Sequence, residues 1–221
     1  MNLFFPVFLS LRVAAIATVL TILVGLGLSR LLSRPLFPLR RFWETLILLP
    51  MVFPPTITGY LLLLLLGRRG PLGAVLASMG VSVIFTVAGA VIASFVVALP
   101  LMYQSCKSAL AGVDHRVENA ARSLGLSEGR IFRRVTLPLA IRGIISGTAL
   151  SFARALGEFG ATLMVAGNIP GRTATIPLAL FDAVEGGRSA EANLLLGITV
   201  GLSFALVAVV GLAERRSGKT P

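Results

Sequence analysis

The chain has 221 residues, of which 56% are hydrophobic and 13% charged, and its net charge is +11. A soluble domain carries about a quarter charged residues, so this composition excludes an ordinary water-soluble fold. It reads as one all-α integral membrane domain over residues 1–221, with an unusually greasy soluble helical protein as the alternative. The positive charge does not point to nucleic acid, because the arginines cluster between apolar runs and no basic stripe is interleaved with aromatics. Cys106 is the sole cysteine and His115 the sole histidine, which leaves no disulfide within the chain and no Cys/His metal cluster.

The opening MNLFFPVFLSLR lacks a basic segment and an Ala-x-Ala cleavage site, so it is expected to be a retained span rather than a cleaved signal peptide. A spanning helix needs about 20 mostly apolar residues to cross a core of about 30 Å. Five stretches qualify, at about 8–32, 45–66, 81–103, 139–166 and 193–213. Arg12 in the first is placed to snorkel to an interface, and Trp43 before the second suits the headgroup level.

The second stretch is interrupted by Leu49–Gly59, LPMVFPPTITG. Its prolines donate no backbone hydrogen bond, so carbonyls near Leu46, Pro50 and Met51 are expected to lose helical partners. Such an interruption is either a packing kink or part of a pore wall, since irregular backbone at membrane depth must face protein or water. On that second reading Pro54, Pro55, Thr56 and Thr58 line a path. Gly67-Arg68-Arg69-Gly70-Pro71 then forms a turn.

The fourth stretch carries SFARALGEFGAT, residues 151–162. Arg154 and Glu158 lie four apart, share one helix face and are expected to pair. Each charge within a span costs roughly 2.5–3.5 kcal/mol, so the pair must face protein or a cavity rather than lipid. It either locks this span to a neighbour or marks a path, for which Ser151 and Thr162 are further candidates. Pro170-Gly171 opens an outer loop reaching to about Glu191. Near the end, Gly218-Lys219-Thr220 imitates a phosphate-binding loop, but Ala213 stands where its first glycine belongs, so ATP hydrolysis is not expected of this chain.

Arginine and lysine placement sets the orientation. Arg30, Arg34, Arg40 and Arg41 follow the first span; Lys107, Arg116, Arg122, Arg130, Arg133, Arg134 and Arg142 follow the third; Arg215, Arg216 and Lys219 follow the fifth. The other side has Arg68, Arg69, Arg172 and Arg188. The positive-inside bias therefore predicts an outer N-terminus, a cytoplasmic C-terminus and a cytoplasmic segment at about 107–138.

Within that segment Asp114 is expected to cap a short helix to about Leu124, with Val117, Ala120, Ala121 and Leu124 on one apolar face. Glu118 and Arg122 are spaced to pair, and Gly125 suits a left-handed helix end. Ser127 is expected to cap a second short helix, and Thr136-Leu137-Pro138 to start a third that re-enters the membrane. A basic loop that only fixes topology is the simpler account of these residues.

The string Glu118-Asn119-Ala120-Ala121, then Gly125, then Val135-Thr136-Leu137-Pro138, resembles the cytoplasmic EAA loop of ABC-importer permeases, with Asn119 in place of the commoner alanine and Val135 in place of isoleucine. PPTITGYLLLLLLGRRGPLG and RALGEFGATLMVAGNIPGRTATIPLALF are similar to the molybdate/tungstate branch of the oxyanion importers. Sulfate/thiosulfate permeases share the GEFG and AGNIP features, so sulfate is the alternative cargo.

The resemblance implies a permease pairing with a second copy of itself, two ABC ATPase subunits and an extracytoplasmic oxyanion-binding protein. ATP and Mg would be held by the ATPases, with no cofactor in this chain. Glu118, Ala120, Ala121 and Gly125 would form the helix and turn that dock on the ATPase, and Leu137 and Pro138 would fix re-entry. A secondary transporter would call for paired membrane carboxylates or an inverted repeat, and the sequence offers neither. A membrane enzyme would need a convergent cluster of catalytic groups, which is likewise missing from it.

Overall fold

The computed structural model describes residues 4–33 and 37–217, with side chains through 208. Arg34, the Gly218-Lys219-Thr220 tail and the side chains of Arg215 and Arg216 lie outside it. The elements are helices α1 (Phe4–Leu32), α2 (Arg40–Val52), α3 (Pro55–Leu66), α4 (Pro71–Ser78), α5 (Val87–Ala111), α6 (His115–Ser123), α7 (Glu128–Ile131), α8 (Leu137–Leu156), α9 (Gly160–Ala166), α10 (Ile176–Glu185) and α11 (Ser189–Ser217). A π-helical turn, Phe132–Thr136, joins α7 to α8.

Among the described residues, four helices are long and apolar enough to cross a membrane: Phe4–Leu32, Val87–Ala111, Glu128–Leu156 and Ser189–Ala208. Counting α2 and α3 together makes five. Helix α5 is the hub, packing on α1, α2, α8 and α9. Small residues make the close approaches, as expected where lipid supplies no hydrophobic drive between helices. Ala14 and Ala17 of α1, Ala98 of α5 and Ala155 of α8 form one buried cluster. A Cβ on Gly143 would fall 2.6 Å from the Ala109 Cβ, which shows how near α8 runs to α5.

Three expected spans differ from the observed helices. The stretch at 45–66 is not one helix but two, bent by 119°. Helix α2 continues through Pro50. The break comes at Phe53 (φ −71°, ψ 142°) and Pro54 (φ −51°, ψ 136°). Tandem prolines explain the site, because each forces the residue before it into extended backbone. A bend this large is far more than a packing kink.

The stretch at 81–103 is a helix at Val87–Ala111, and the uncharged run before it holds the separate α4. Residues 81–86 are not helical: Phe85 has φ +59° and donates its N–H to the Val165 carbonyl at 2.9 Å, and Thr86 caps α5 by accepting from Gly89. An unbroken apolar run carries no signal for such a start.

The stretch at 139–166 is broken at residues 157–159, between α8 and α9. The loop expected to lie outside contains α10, introduced by Thr175-Ile176-Pro177, a proline-in-first-turn start that the sequence reading passed over.

Helix α2 has no buried side chain. A polar clasp ties it to α5 instead: Glu44 accepts from Lys107 Nζ at 2.9 Å, Arg40 Nε at 3.0 Å and the Tyr103 hydroxyl at 3.2 Å.

Candidate functional site

Two regions carry the residues singled out from sequence. The first is a junction of two helix breaks. Gly160 begins α9 after the 157–159 break, and a Cβ there would lie 3.1 Å from Pro55 Cβ and from the Thr56 backbone nitrogen. One turn on, a Cβ on Gly59 would lie 2.7 Å from Ala161 Cα. The α2–α3 break is therefore pressed against the α8–α9 break, with glycines at both closest points. Discontinuous helices that meet in this way are how transporters bring polar backbone and side chains to membrane depth.

At this junction Pro54, Pro55 and Thr56 are exposed, whereas Thr58 and Thr162 are buried with hydroxyl oxygens that have no hydrogen-bond partner. Buried hydroxyls normally find one. Ser151 is also buried and unpartnered, but it lies one turn before Ala155 on the α8 face toward α1 and α5. The structure thus separates Ser151 from the other path candidates and leaves it on a packing face.

Arg154 and Glu158 pair as expected, Nη2 to Oε2 at 2.7 Å. They do not share one continuous helix, since Glu158 lies in the break. Its other oxygen accepts the Ala161 N–H at 2.8 Å, so the carboxylate also caps α9.

The second region is the segment between α5 and α8. Asp114 caps α6 by accepting the Arg116 N–H at 2.8 Å. Of the apolar face, Ala121 is buried at 7% exposure, whereas Val117, Ala120 and Leu124 are exposed, Leu124 at 83%. Gly125 has φ +79°, a left-handed conformation that disfavours other residues.

Several expectations here are corrected. Glu118 does not bond to Arg122. It accepts from the Thr136 hydroxyl at 2.6 Å and lies 3.1 Å from His115 Nδ1. Arg122 instead reaches across the glycine turn to Glu128, Nε to Oε1 at 2.6 Å. The i,i+4 spacing was favourable, but the turn brings a second carboxylate into reach that no local pattern could announce. Ser127 stands before α7 in extended backbone, yet its hydroxyl accepts from no backbone N–H.

Thr136-Leu137-Pro138 opens α8 with Pro138 in its first turn, as expected, but no break precedes it: residues 128–156 run on continuously through the π-helical turn. The glycine turn is therefore the sole interruption between α6 and a long membrane helix. Two side-chain contacts cross it, Thr136 to Glu118 and Arg122 to Glu128.

Sequence reasoning missed Thr136 as a partner of Glu118, and Gly59 and Gly160 as points of close approach. The Gly-Glu-Phe-Gly spacing was the available signal for Gly160.

Residues 17–215 match the family described as binding-protein-dependent transport system inner membrane component. The chain belongs to this family. Its curated relatives include the molybdenum transport system permease protein ModB of Escherichia coli K12, 42% identical over 96% of both chains. A putative molybdenum transport system permease protein, YvgM of Bacillus subtilis, is 42% identical over 92% of this chain and 90% of its own. Among solved structures, a MetNI methionine ABC transporter in an inward-facing conformation superposes with TM-score 0.74 at 18% identity, covering 96% of this chain and 94% of that one. A bacterial ABC transporter involved in import of the acidic polysaccharide alginate gives 0.75 at 14% identity, covering 98% and 80%. At such identities these two establish the fold alone. This inner membrane component is a multi-pass transport subunit of the ABC-permease type and not itself an enzyme. Membership implies binding-protein and ATPase partners.

Proposed function

We propose that the chain is the permease subunit of an ATP-driven importer for molybdate. Two copies would form the path, with an extracytoplasmic oxyanion-binding protein on one side and two ATPase subunits, which hold ATP and Mg, on the other. The observation that carries this reading is the 42% identity to a molybdenum permease across 96% of both chains.

The geometry is suited to that task. The exposed Val117, Ala120 and Leu124 offer a small apolar face to an ATPase, and Gly125 leaves open space beside it. Glu118, Ala121 and Thr136 tie that face to the helix through Leu137 and Pro138 into the membrane. Motion of α6 would then reach α8 and the α3–α9 junction through packed, rigid elements. At the junction Pro54, Pro55, Thr56, Thr58 and Thr162 are the path candidates. Their contacts need to be weak, because a tightly held anion would not be released.

Reconstitution with the ATPase and the binding protein tests the reading. Molybdate uptake into proteoliposomes is expected only with ATP and all partners, and sulfate is expected to compete poorly. Uptake that persists without the ATPase, or sulfate transport with no molybdate transport, would overturn it.

The cytoplasmic placement of α6 has its own test. The sole cysteine, Cys106, is fully buried, so Asn119→Cys introduces the one accessible thiol among the described residues. A membrane-impermeant maleimide is expected to label it in inside-out vesicles. Labelling in right-side-out vesicles would reverse the orientation.

A further inference from the structure

The Arg154–Glu158 pair is asymmetric. Glu158 is 1% exposed at its side chain, with one oxygen accepting the Ala161 N–H and the other in charge contact with Arg154 but accepting no hydrogen bond. Arg154 is 30% exposed and touches one carboxylate oxygen. A guanidinium carries five N–H donors in a flat fork. Those of Arg154 that do not face Glu158 have no partner among the described residues. The acid is thus locked in place while the base keeps free donors.

The location matters as much. Counted at about 1.5 Å per residue, Arg154 stands about 18 Å along α8 from Arg142, well into the membrane. It lies one turn before the α8–α9 break, which is pressed on the α2–α3 break at Pro55 and Thr56. Thr58 and Thr162, with unpartnered hydroxyls, belong to the same two broken helices. If packing were the sole need here, well-fitted apolar residues would serve as well as an ion pair or better. A guanidinium fork matches the oxygen edge of a tetrahedral anion through two parallel hydrogen bonds.

We propose that Arg154 is the transient contact for the oxyanion in the path, and that Glu158 is its built-in competitor. The carboxylate holds the fork at a fixed place and cancels most of its charge. An arriving dianion shares the free donors, and Glu158 reclaims the fork as the anion leaves. The competition keeps affinity low enough for release, which a conducting site requires. This inference rests on the oxyanion-importer reading above.

The test uses the whole complex of permease, ATPase and binding protein, with wild-type molybdate uptake as the control arm. Failure of wild type to take up any oxyanion defeats the importer reading and leaves the Arg154 comparison unused against it. With wild type active, Arg154→Lys is expected to lose uptake by about threefold or more, because it keeps the charge but not the flat fork of donors. The neutral double variant Arg154→Gln/Glu158→Gln is expected to lose uptake by at least about tenfold while still co-purifying with the ATPase, since no unpaired charge is left behind. Wild-type uptake by the double variant overturns the proposal.

Glu158→Gln alone supplies a second readout that does not depend on the double variant folding. Its amide oxygen can still accept from Ala161, so the α9 cap survives, but the competitor is gone. The purified complex without binding protein is expected to retain molybdate at least about tenfold more tightly than wild type, measured as bound metal after rapid desalting. A merely structural pair predicts equal or weaker retention, and that result overturns the proposal as well.

Discussion

Replacing Gly59 by leucine is expected to abolish the folded permease. A Cβ at this position already lies 2.7 Å from Ala161 Cα and 2.9 Å from Met164 Cβ, and the first of these is backbone that cannot swing aside. Overpacking a close contact costs about 3 kcal/mol or more when the obstacle is main chain. That is a large share of the total stability of about 5–15 kcal/mol typical of a folded domain. The α3–α9 contact is also where the two broken helices support one another, so the loss is not confined to one side chain. Gly59→Ala is expected to give a reduced yield and a lowered unfolding midpoint, and Gly59→Leu no monodisperse complex in size-exclusion chromatography. Gly27→Ala is the control, since nothing stands within 4 Å of a Cβ there. Helix propensity alone predicts it to be neutral or to gain up to about 1 kcal/mol. Wild-type yield and midpoint for Gly59→Leu would show that the two breaks do not need their close approach.

The second large effect is expected at Glu118, and it separates coupling from folding. Helix α6 is joined to the membrane helix by the Gly125 turn, by the exposed Arg122–Glu128 pair and by the part-buried 2.6 Å bond from Thr136 to Glu118. A hydrogen bond to a charged acceptor that keeps some water is worth about 1.5 kcal/mol. Removing it in Glu118→Ala should raise the loosened population of this hinge about tenfold, since about 1.4 kcal/mol is a factor of ten. The expected result is transport per ATP hydrolysed that falls several-fold while the ATPase still co-purifies. Thr136→Val should produce the same loss, because it removes the donor and keeps the shape. Unchanged transport per ATP in both variants would mean that the bond carries no coupling.

The same bond has a pH signature. Thr136 donating to the charged form, with His115 beside it, holds the Glu118 carboxyl below its ordinary range, against the opposing effect of burial. A carboxylate with a lowered folded-state pKa contributes fully above its unfolded value and loses that contribution as pH falls through the lowered one. Coupling through Glu118 is therefore expected to be flat across roughly pH 6 to 8, where carboxylates of ordinary pKa are ionised. A steep change in that window would point to another group.

The sequence determined a good deal by itself. Composition and apolar run length announced a helical membrane domain, because twenty apolar residues have few other stable uses. The EAA-like string, with its spacing to Gly125 and Leu137-Pro138, nominated the segment proposed to couple to the ATPase. Asp114 and Gly125 behave as local rules demand, since caps and left-handed turns are set within a few residues. The tandem Pro54-Pro55 marked a break for the same reason.

What only the tertiary structure decided were relations between distant segments. The 119° turn of α3 from α2, and the pressing of Pro55 and Thr56 on Gly160, depend on which helix lies beside which. So does the non-helical start before α5, where Phe85 bonds to a carbonyl contributed by Val165, eighty residues onward. Glu118 had a well-spaced partner in Arg122, yet Thr136 and Glu128 rearranged both pairings once the glycine turn folded. Local spacing fixes what a side chain can reach along its own helix, whereas charge and hydroxyl partners are chosen by whatever the fold carries nearest. That is why the sequence could nominate Arg154 and Glu158 as a pair, but only the fold shows that the acid is locked and the base left partly free.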